Sequence, residues 1–331
     1  MSMLLPFIGL FFIVFLFSGL IAIFEPDSLD VFLSMRNLKT ILMQTTIVGI
    51  GALGMTLVII SGGIDLSVGS IIAFATVITA LVMNMGATGS YGNEWAVGGG
   101  WVLLGACSAV VCSAVIGLIT GVISAKGKIV PFIVTLGMMQ VVRGLAKWGA
   151  DNEMVRTPEN GLQTFMDPVP DPAWLIFAPG VWILIILTIA LILVLKYTVF
   201  GRYTYAIGSS ENTARLCGIA VEKYRILIYT ICGAFTGIAG VMQYATLGSG
   251  SPTEAIGLEL DIIAAVVIGG GSLDGGEGSA LGTIIGALML QVLRSGCVML
   301  GVPSYVQDII LGTIIIAAAG IDRLKHKKGK V

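Results

Sequence analysis

Long apolar runs separated by short polar segments make up most of this chain. A helix that crosses the hydrocarbon core of a bilayer needs about 20 mainly apolar residues. The sequence therefore predicts ten membrane-spanning helices, at roughly 3–24, 40–60, 66–84, 98–124, 129–148, 174–196, 226–247, 258–271, 279–300 and 303–321. The eighth is short and ends in the glycine-rich stretch GGGSLDGGEGS. Nothing between the spans resembles a soluble domain, so we expect a single membrane domain over 1–331.

Composition agrees with this prediction. Hydrophobic residues make up 56% of the chain and charged residues 11%, whereas a soluble domain averages about 25% charged residues. The expected fold class is an all-α integral membrane protein. We interpret the first span as an uncleaved anchor, because its apolar run exceeds the roughly 7–15 residues of a signal-peptide core and no A-x-A site accompanies it.

The positions of Lys and Arg predict that both termini are cytoplasmic, since cytoplasmic segments carry an excess of cations. In that orientation a loop over 197–225, a tail over 322–331 and the other cytoplasmic segments contain Lys126, Lys128, Lys196, Arg202, Arg215, Lys223, Arg225, Arg323, Lys325, Lys327, Lys328 and Lys330. The external segments contain mainly acids, namely Glu25, Asp27, Asp30, Glu94, Asp151, Glu153, Glu159, Asp167, Asp171, Glu254 and Glu259.

The residues indicate no chemistry performed by this chain itself. The stretch AKGKIV at 125–130 lacks the spacing and the hydroxyl of a phosphate-binding loop, and the one histidine, His326, lies in the basic tail. We expect no enzymatic activity, no bound ATP, metal or other cofactor, and no nucleic-acid partner. The cysteines show no metal-ligand spacing and are interpreted as structural; they are Cys107, Cys112, Cys217, Cys232 and Cys297.

Small residues recur at every fourth position of the fourth span. They are Gly105, Ala109, Ser113, Gly117, Gly121 and Ala125, and the same spacing occurs in Gly278, Gly282 and Gly286 and in Gly233 with Gly237. A face of small residues lets another helix approach closely. The pattern predicts tight packing within the chain, and a seam between two copies of the chain is the alternative.

Two glycine-rich breaks follow apolar spans, IISGGIDLSVGS at 59–70 and VIGGGSLDGGEGS at 267–279. Broken helices at membrane depth often mark a pathway or a moving joint in transporters. We predict such a role for Ser61, Gly62, Gly63, Asp65, Ser67, Gly269, Gly270, Gly275 and Gly276. The alternative is an ordinary cytoplasmic turn with Asp65 or Ser67 as a helix N-cap.

Four ionisable residues lie in or near the predicted spans: Arg143, Asp261, Arg294 and Asp308. Ion-driven carriers place such residues within their spans, although capping and snorkelling explain most of these positions. An ion-coupled secondary transporter of small polar solutes is therefore the alternative function. A passive channel and a membrane scaffold are further alternatives.

The stretch GRYTYAIGSSENTARLCGIAVEKYR at 201–225 is polar, although its neighbours are apolar. Ser209 and Ser210 are favourable N-caps, Glu211 suits a first turn and Gly218 suits a helix end. The residues between them predict a helix of about two turns. Because so short a helix is unstable alone in water, we expect it to pack against the membrane domain or a partner.

Three stretches resemble permease subunits of ribose-type ATP-binding-cassette importers, which carry monosaccharides. They are GMTLVIISGGIDLSVGS at 54–70, GRYTYAIGSSENTARLCGI at 201–219 and AVVIGGGSLDGGEGSALGT at 265–283. They occur in the family's order, and the resemblance covers about 38–321. It implies the permease fold of these importers and the function of a transmembrane permease subunit in an ATP-driven monosaccharide importer.

The resemblance also implies that the short helix is a coupling helix seated in a cleft of a cytoplasmic ATPase. Gly201, Arg202, Ala206, Gly208, Ala214, Arg215, Gly218 and Ile219 match the family pattern. Ser210 and Glu211 complete the predicted coupling site. The chain departs from the pattern at Ser209, Ser210 and Thr213, where the family usually has Gly, Asn and Ala, so recognition of the ATPase is expected to differ in detail.

The implied partners are an ATPase that holds ATP and Mg²⁺, an extracytoplasmic sugar-binding protein, a second copy of the permease or a close paralogue, and lipid of the bacterial cytoplasmic (inner) membrane. The external segment 149–173 is a candidate docking surface for the binding protein, with an unengaged linker as the alternative. Candidate contacts for sugar hydroxyls are Gln44, Thr45, Thr46, Thr135, Gln140, Gln243 and Tyr244. Hydrogen bonds between helices are the alternative role for each of them.

Overall fold

The computed structural model describes the backbone of residues 4–90, 93–170 and 175–328, and their side chains except at 4–5, 90, 93–94, 318–319 and 321–328. Its helices are α1 (Leu4–Phe24), α2 (Leu29–Phe32), α3 (Met35–Ile60), α4 (Val68–Met85), α5 (Gly99–Lys126), α6 (Pro131–Gly149), α7 (Pro179–Tyr197), α8 (Val199–Ser209), α9 (Glu211–Leu216), α10 (Val221–Leu247), α11 (Leu258–Ile268), α12 (Ala280–Met299) and α13 (Ser304–Lys328). The charges predicted at Glu94, at Asp171 and in the tail 322–331 belong to side chains outside the described residues.

Each of the ten segments predicted to span the membrane contains a helix. Among the described residues seven of these helices are long and apolar enough to cross a membrane by length and composition: α1, α3, α4, α5, α7, α10 and α12. The eighth span was predicted to extend to residue 271, but α11 has 11 residues and ends at Ile268. A helix of that length does not cross the hydrocarbon core, which needs at least about 17 residues.

The polar segment 201–225 contains most of α8, the whole of α9 and the start of α10, and of the two short helices only α9 was predicted. Helix α8 is additional and buries Gly201, Thr204 and Ile207, which lie three residues apart on one face. The Thr198 hydroxyl caps its start by accepting a hydrogen bond of 3.2 Å from the Gly201 backbone N–H. Because this buried face contains a glycine and a threonine, its apolar periodicity is weak in the sequence.

Helix α10 is central to the fold and packs against α5, α3 and α4. The small-residue face of α5 lies directly on it, since a Cβ added at Gly117 would overlap the carbonyl oxygen of Tyr229 and one added at Gly233 would overlap that of Ser113. The predicted tight packing is therefore confirmed, and for these residues it lies within one chain. Helix α12 packs on α11 in the same way, through Gly286 against Ala265.

Short strands and turns connect the helices. Strands β1 (Ala87–Ser90) and β2 (Asn93–Val97) form an antiparallel hairpin, and β3 (Val155–Arg156) pairs with β4 (Ser249–Gly250). The second pair connects the external segment to the end of α10. All five cysteines are free thiols, with Cys232 and Cys297 buried in the helix core.

Candidate functional site

Three turns from distant parts of the chain meet in what we call the glycine junction, formed by residues 60–63, 208–209 and 275–278. The backbone N–H of Gly276 donates a hydrogen bond of 2.8 Å to the carbonyl oxygen of Ile60. The Tyr205 hydroxyl on α8 donates a hydrogen bond of 2.8 Å to the carbonyl oxygen of Gly278. The junction therefore joins the end of α8 to the end of α3 and to the turn before α12.

Glycine is required in the junction because the backbones are in direct contact. A Cβ added at Gly208 would overlap the carbonyl oxygen of Ile60 and lie 2.5 Å from the backbone nitrogen of Gly276. A Cβ added at Gly275 would lie 2.8 Å from the carbonyl oxygen of Gly208. Any side chain at Gly208 would push these three turns apart.

The other predicted joint residues lie beside the junction. A Cβ added at Gly269 would overlap the carbonyl oxygen of Gly282, so this glycine packs α11 against α12. Ser67 occupies the N-cap position of α4, which is one of the two positions that the sequence predicts. Ser67 precedes α4 but its side chain makes no capping hydrogen bond, because its hydroxyl donates to Asp65 Oδ1 at 2.5 Å. Asp65 Oδ1 also accepts from the Ser67 backbone N–H at 2.9 Å.

Helix α9 begins and ends where the sequence predicts. The Ser210 hydroxyl accepts a hydrogen bond of 3.3 Å from the Thr213 backbone N–H, and Gly218 ends the helix with φ +83°. The Ile219 backbone N–H donates to the carbonyl oxygen of Ala214 at 3.0 Å. The prediction that Ser209 caps this helix is wrong, because Ser209 is the last residue of α8.

Helix α9 is attached to α8 and α10 by a small apolar cluster and an ion pair. Ala214 is buried with Ile207 and Val221, and Arg225 Nη2 of α10 donates to Glu211 Oε2 at 2.7 Å. Partial burial raises the pKa of the Glu211 carboxyl, but hydrogen bonds from Arg215 and Arg225 outweigh this effect and hold the pKa below its usual value. Glu211 is therefore ionised at neutral pH, and a charged pair joins α9 to α10.

The opposite face of α9 is exposed. Asn212, Thr213, Arg215 and Leu216 all lie in solvent, and the Leu216 side chain is 89% exposed. Helix α9 therefore presents an exposed face of polar, cationic and apolar side chains.

A polar cavity lies at the opposite end of the same helices. Helices α3, α10, α11 and α12 each have one end near the junction or α9 and contribute residues to the cavity near the other end. Its volume is about 500 Å³. It is lined by Asn37, Thr40, Ile41, Gln44, Ile47, Val48, Gln243, Thr246, Leu258, Gln291, Arg294, Ser295, Val298, Met299 and Gln307.

Two of the seven predicted sugar contacts, Gln44 and Gln243, line this cavity. The hydroxyls of Thr45 and Thr46 instead donate to carbonyl oxygens one turn earlier in α3. Thr135 donates to the carbonyl oxygens of Ile64 and Phe132. Gln140 is exposed on α6, and Tyr244 is buried among residues of the external segment.

Six cavity residues with uncharged polar side chains were not predicted as sugar contacts: Asn37, Thr40, Thr246, Gln291, Ser295 and Gln307. Arg294 was considered only as an ionisable residue of a span. Gln291 and Arg294 lie three residues apart and hence on one face of α12. This spacing is the one sequence signal that pointed to the cavity.

Two of the four ionisable residues predicted in or near the spans, Arg294 and Arg143, make contacts in different parts of the structure. Arg294 Nη2 pairs with Asp261 Oδ2 at 2.6 Å. Arg143 Nη1 donates to the carbonyl oxygens of Glu254 at 2.6 Å and Pro252 at 3.1 Å. Arg143 therefore stabilises the turn before α11, as expected for a structural role.

The described part of the external segment is anchored to the helices. The Tyr244 hydroxyl of α10 shares a hydrogen bond of 2.5 Å with the Thr157 hydroxyl and accepts one of 3.0 Å from Asn160 Nδ2. Leu162 and Met166 are buried in the main core. Residues 155–166 are therefore not a solvated linker, because they pack onto α10 and the main core.

Comparison with known proteins identifies the family to which this chain belongs. A family profile described as the permease component of the branched-chain amino acid transport system matches residues 37–319. This chain belongs to that permease family. No solved structure matches the permease.

Several characterised relatives match nearly the whole permease. It is 40% identical to the ribose import permease protein RbsC of Escherichia coli (strain K12), over 89% of this chain and 88% of the relative. It is 37% identical to RbsC of Bacillus subtilis (strain 168), over 97% and 92% of the two chains. It is 33% identical to the L-arabinose ABC transporter permease protein AraH of Azospirillum brasilense, over 93% and 86%. Together with its apolar helices, these matches identify a multi-pass protein of the bacterial cytoplasmic (inner) membrane.

Proposed function

We propose that this permease is the membrane subunit of an ATP-driven importer of a monosaccharide. Two copies, or one copy with a close paralogue, form the translocation pathway. Ribose and L-arabinose are named in the relatives, which supports a monosaccharide as the solute. The whole chain acts as one membrane domain that crosses the membrane ten times with both termini in the cytoplasm, and the short helix α11 makes its crossing together with the turns on either side of it. It binds no cofactor, since ATP and Mg²⁺ are held by a separate ATPase.

The observation that carries this proposal is the connection between α9 and the polar cavity. Helix α9 presents an exposed face, is paired with α10 through Glu211 and Arg225, and follows α8, whose end lies in the glycine junction. In the proposed orientation α9 and the junction face the cytoplasm, and the cavity lies toward the external side. An ATPase that moves α9 therefore acts on the helices that line the cavity.

We add Leu216 to the coupling site because its side chain is exposed on α9. The other members of the site are those predicted from the sequence, namely Gly201, Arg202, Ala206, Gly208, Ser210, Glu211, Ala214, Arg215, Gly218 and Ile219. The joint consists of the predicted glycines at Gly62, Gly63, Gly269, Gly270, Gly275 and Gly276 together with Ser61, Asp65 and Ser67. A sugar-loaded binding protein docks on the external segment 149–173 and releases the sugar toward the cavity. The rocking of these helices then exposes the pathway to one side of the membrane at a time.

Reconstitution tests this proposal. The permease is placed in proteoliposomes with its ATPase and its binding protein, and uptake of D-ribose, L-arabinose and related monosaccharides is measured with and without ATP. We expect uptake of at least one monosaccharide that requires ATP and all three components. Uptake by the permease alone, driven by a proton gradient, contradicts the proposal and supports a secondary transporter.

A further inference from the structure

A second cavity adjoins the polar cavity and differs from it in charge. Its volume is about 560 Å³, and Glu254, Asp261 and Asp308 are among its lining residues. Gln243, Leu258 and Arg294 line both cavities. These three side chains therefore form the boundary between an amide-rich cavity and an acidic one.

The amide of Gln291 lines the polar cavity. The residue as a whole is only 5% exposed, and its side chain makes no hydrogen bond to any other described residue. Because polar groups inside a protein are almost always hydrogen-bonded, an amide that is open to the cavity and has no partner from the protein is available to whatever occupies the cavity. Gln44 on α3 lines the same cavity and likewise makes no side-chain hydrogen bond within the described residues.

Arg294 adds further hydrogen-bond donors to the lining of the polar cavity. One of its nitrogens is bound to Asp261 at 2.6 Å, and a guanidinium has five N–H donors in a fixed arrangement. Asp261 therefore holds Arg294 at the boundary and occupies only part of its set of donors. Since Gln291 lies one turn earlier on α12, the two side chains share one face of the helix.

We propose that Gln44, Gln291 and Arg294 form a binding subsite for one uncharged polyol the size of a monosaccharide. This inference rests on the proposed function and adds the chemical class and the residues of the site. An amide both donates and accepts, as a sugar hydroxyl does, and about 500 Å³ is within the range of about 300–1,000 Å³ typical of small-molecule sites. The carboxylates of Glu254, Asp261 and Asp308 in the adjoining cavity outnumber the two nearby guanidinium groups, those of Arg294 and Arg143, and therefore disfavour an anionic sugar.

The test uses the complete complex of permease, ATPase and binding protein in proteoliposomes, with D-ribose as the probe. Gln291→Leu removes the amide and keeps a similar side-chain volume. We expect the number of D-ribose molecules imported per ATP hydrolysed to fall about tenfold, because a lost hydrogen bond to a buried partner has an effect of this order. ATP hydrolysis itself should stay within about twofold of the wild type, since α9 and the junction are unchanged.

Two further variants make the result decisive. Thr188→Val is the matched control, because Thr188 is a buried polar residue of α7 that bonds only to its own helix and lies outside both cavities; its ratio should equal that of the wild type. Gln44→Leu, at an exposed position, should lower the ratio as Gln291→Leu does. If both glutamine variants import as many D-ribose molecules per ATP hydrolysed as the wild type does, the inference is overturned. Absence of ATP-dependent monosaccharide uptake by the wild-type complex instead contradicts the proposed function itself.

Discussion

The backbone N–H of Gly276 donates a hydrogen bond of 2.8 Å to the carbonyl oxygen of Ile60, although the two residues are far apart in the sequence. The contact joins the turn before α12 to the end of α3, and Gly208 at the end of α8 lies against both residues. Three stretches that carry the family resemblance therefore meet at one point. In the proposed mechanism, movement of α8 and α9 reaches the helices around the polar cavity through this contact.

The glycine junction should not tolerate a methyl group at Gly208. In Gly208→Ala the new Cβ overlaps the Ile60 carbonyl oxygen, and forcing an atom into a packed site typically costs about 1–3 kcal/mol or more. We expect a lower melting temperature of the detergent-solubilised permease and loss of ATP-dependent uptake. Gly144→Ala is the control, since nothing lies within 4 Å of a Cβ at that exposed position of α6. Equal melting temperatures and equal uptake in the two variants contradict close backbone packing at Gly208.

Local signals made much of the fold predictable. Apolar runs identify the ten helical segments, and Ser210 and Gly218 identify the ends of α9 because capping depends on neighbouring residues alone. Helix α8 was missed because Gly201 and Thr204 weaken its apolar face. The true end of α11 was missed because the apolar run and the glycine-rich turn join without a polar boundary.

The candidate site was less predictable than the fold. The junction depends on contacts between 60–63, 208–209 and 275–278, and no local pattern places such distant glycines together. Thr45 and Thr46 resemble Gln44 as polar residues of one span, but their hydroxyls reach the carbonyl oxygens of their own helix. Gln44 has a longer side chain and lines the cavity. Only the packing of α12 against its neighbours distinguishes Gln291 from an ordinary interhelical glutamine.

The ion pair between Glu211 and Arg225 should hold α9 on α10. Its two side chains are 39% and 16% exposed, and partly exposed pairs contribute about 0.2–1 kcal/mol. In Arg225→Gln we therefore expect two- to fivefold faster hydrogen exchange over residues 211–217, because about 0.5–1 kcal/mol corresponds to such a factor. Glu222→Gln is the control, since Glu222 pairs only with exposed Arg215, at 3.6 Å. The same exchange rate in both variants contradicts a role for this pair.

The same ion pair predicts a dependence on pH. The pKa of the Glu211 carboxyl lies below its usual value of 4.5 because hydrogen bonds from Arg215 and Arg225 outweigh its partial burial. A lowered pKa gives a contribution that is complete above the usual value and is lost as the pH falls through the lowered one. Protection of residues 211–217, corrected for intrinsic exchange, should stay constant from pH 7 to about pH 5 and decline below. A decline already complete at pH 6 contradicts this assignment.

Leu216 should be an anchor for the ATPase. It is 89% exposed at the tip of α9, and truncating a central apolar contact of an interface typically costs about 1–2 kcal/mol or more. Leu216→Ala should therefore reduce the amount of ATPase that co-purifies with the permease about tenfold without changing its melting temperature. Ile186→Ala, at an exposed position of α7, should leave co-purification unchanged. Undiminished co-purification in Leu216→Ala contradicts this role.

Tyr244 should hold the external segment against α10. Tyr244→Phe removes the hydrogen bonds to Thr157 and Asn160, each of which contributes about 0.5–1.5 kcal/mol. Proteolysis of the segment around 155–163 should become several-fold faster in right-side-out membrane vesicles. Tyr305→Phe is the control, since Tyr305 is exposed and makes no side-chain hydrogen bond within the described residues. Equal cleavage rates in the two variants contradict the anchoring role.

In the proposed mechanism, the state of the ATPase reaches the polar cavity through the glycine junction. The most direct test labels a single cysteine, Gln44→Cys, with a water-soluble thiol reagent in a permease whose native cysteines are replaced by alanine, assembled with its ATPase and binding protein. The labelling rate should differ several-fold between the nucleotide-free and ATP-bound complexes, and Gly208→Ala should abolish that difference. A rate that is the same in both nucleotide states, or a difference that persists in Gly208→Ala, contradicts the account.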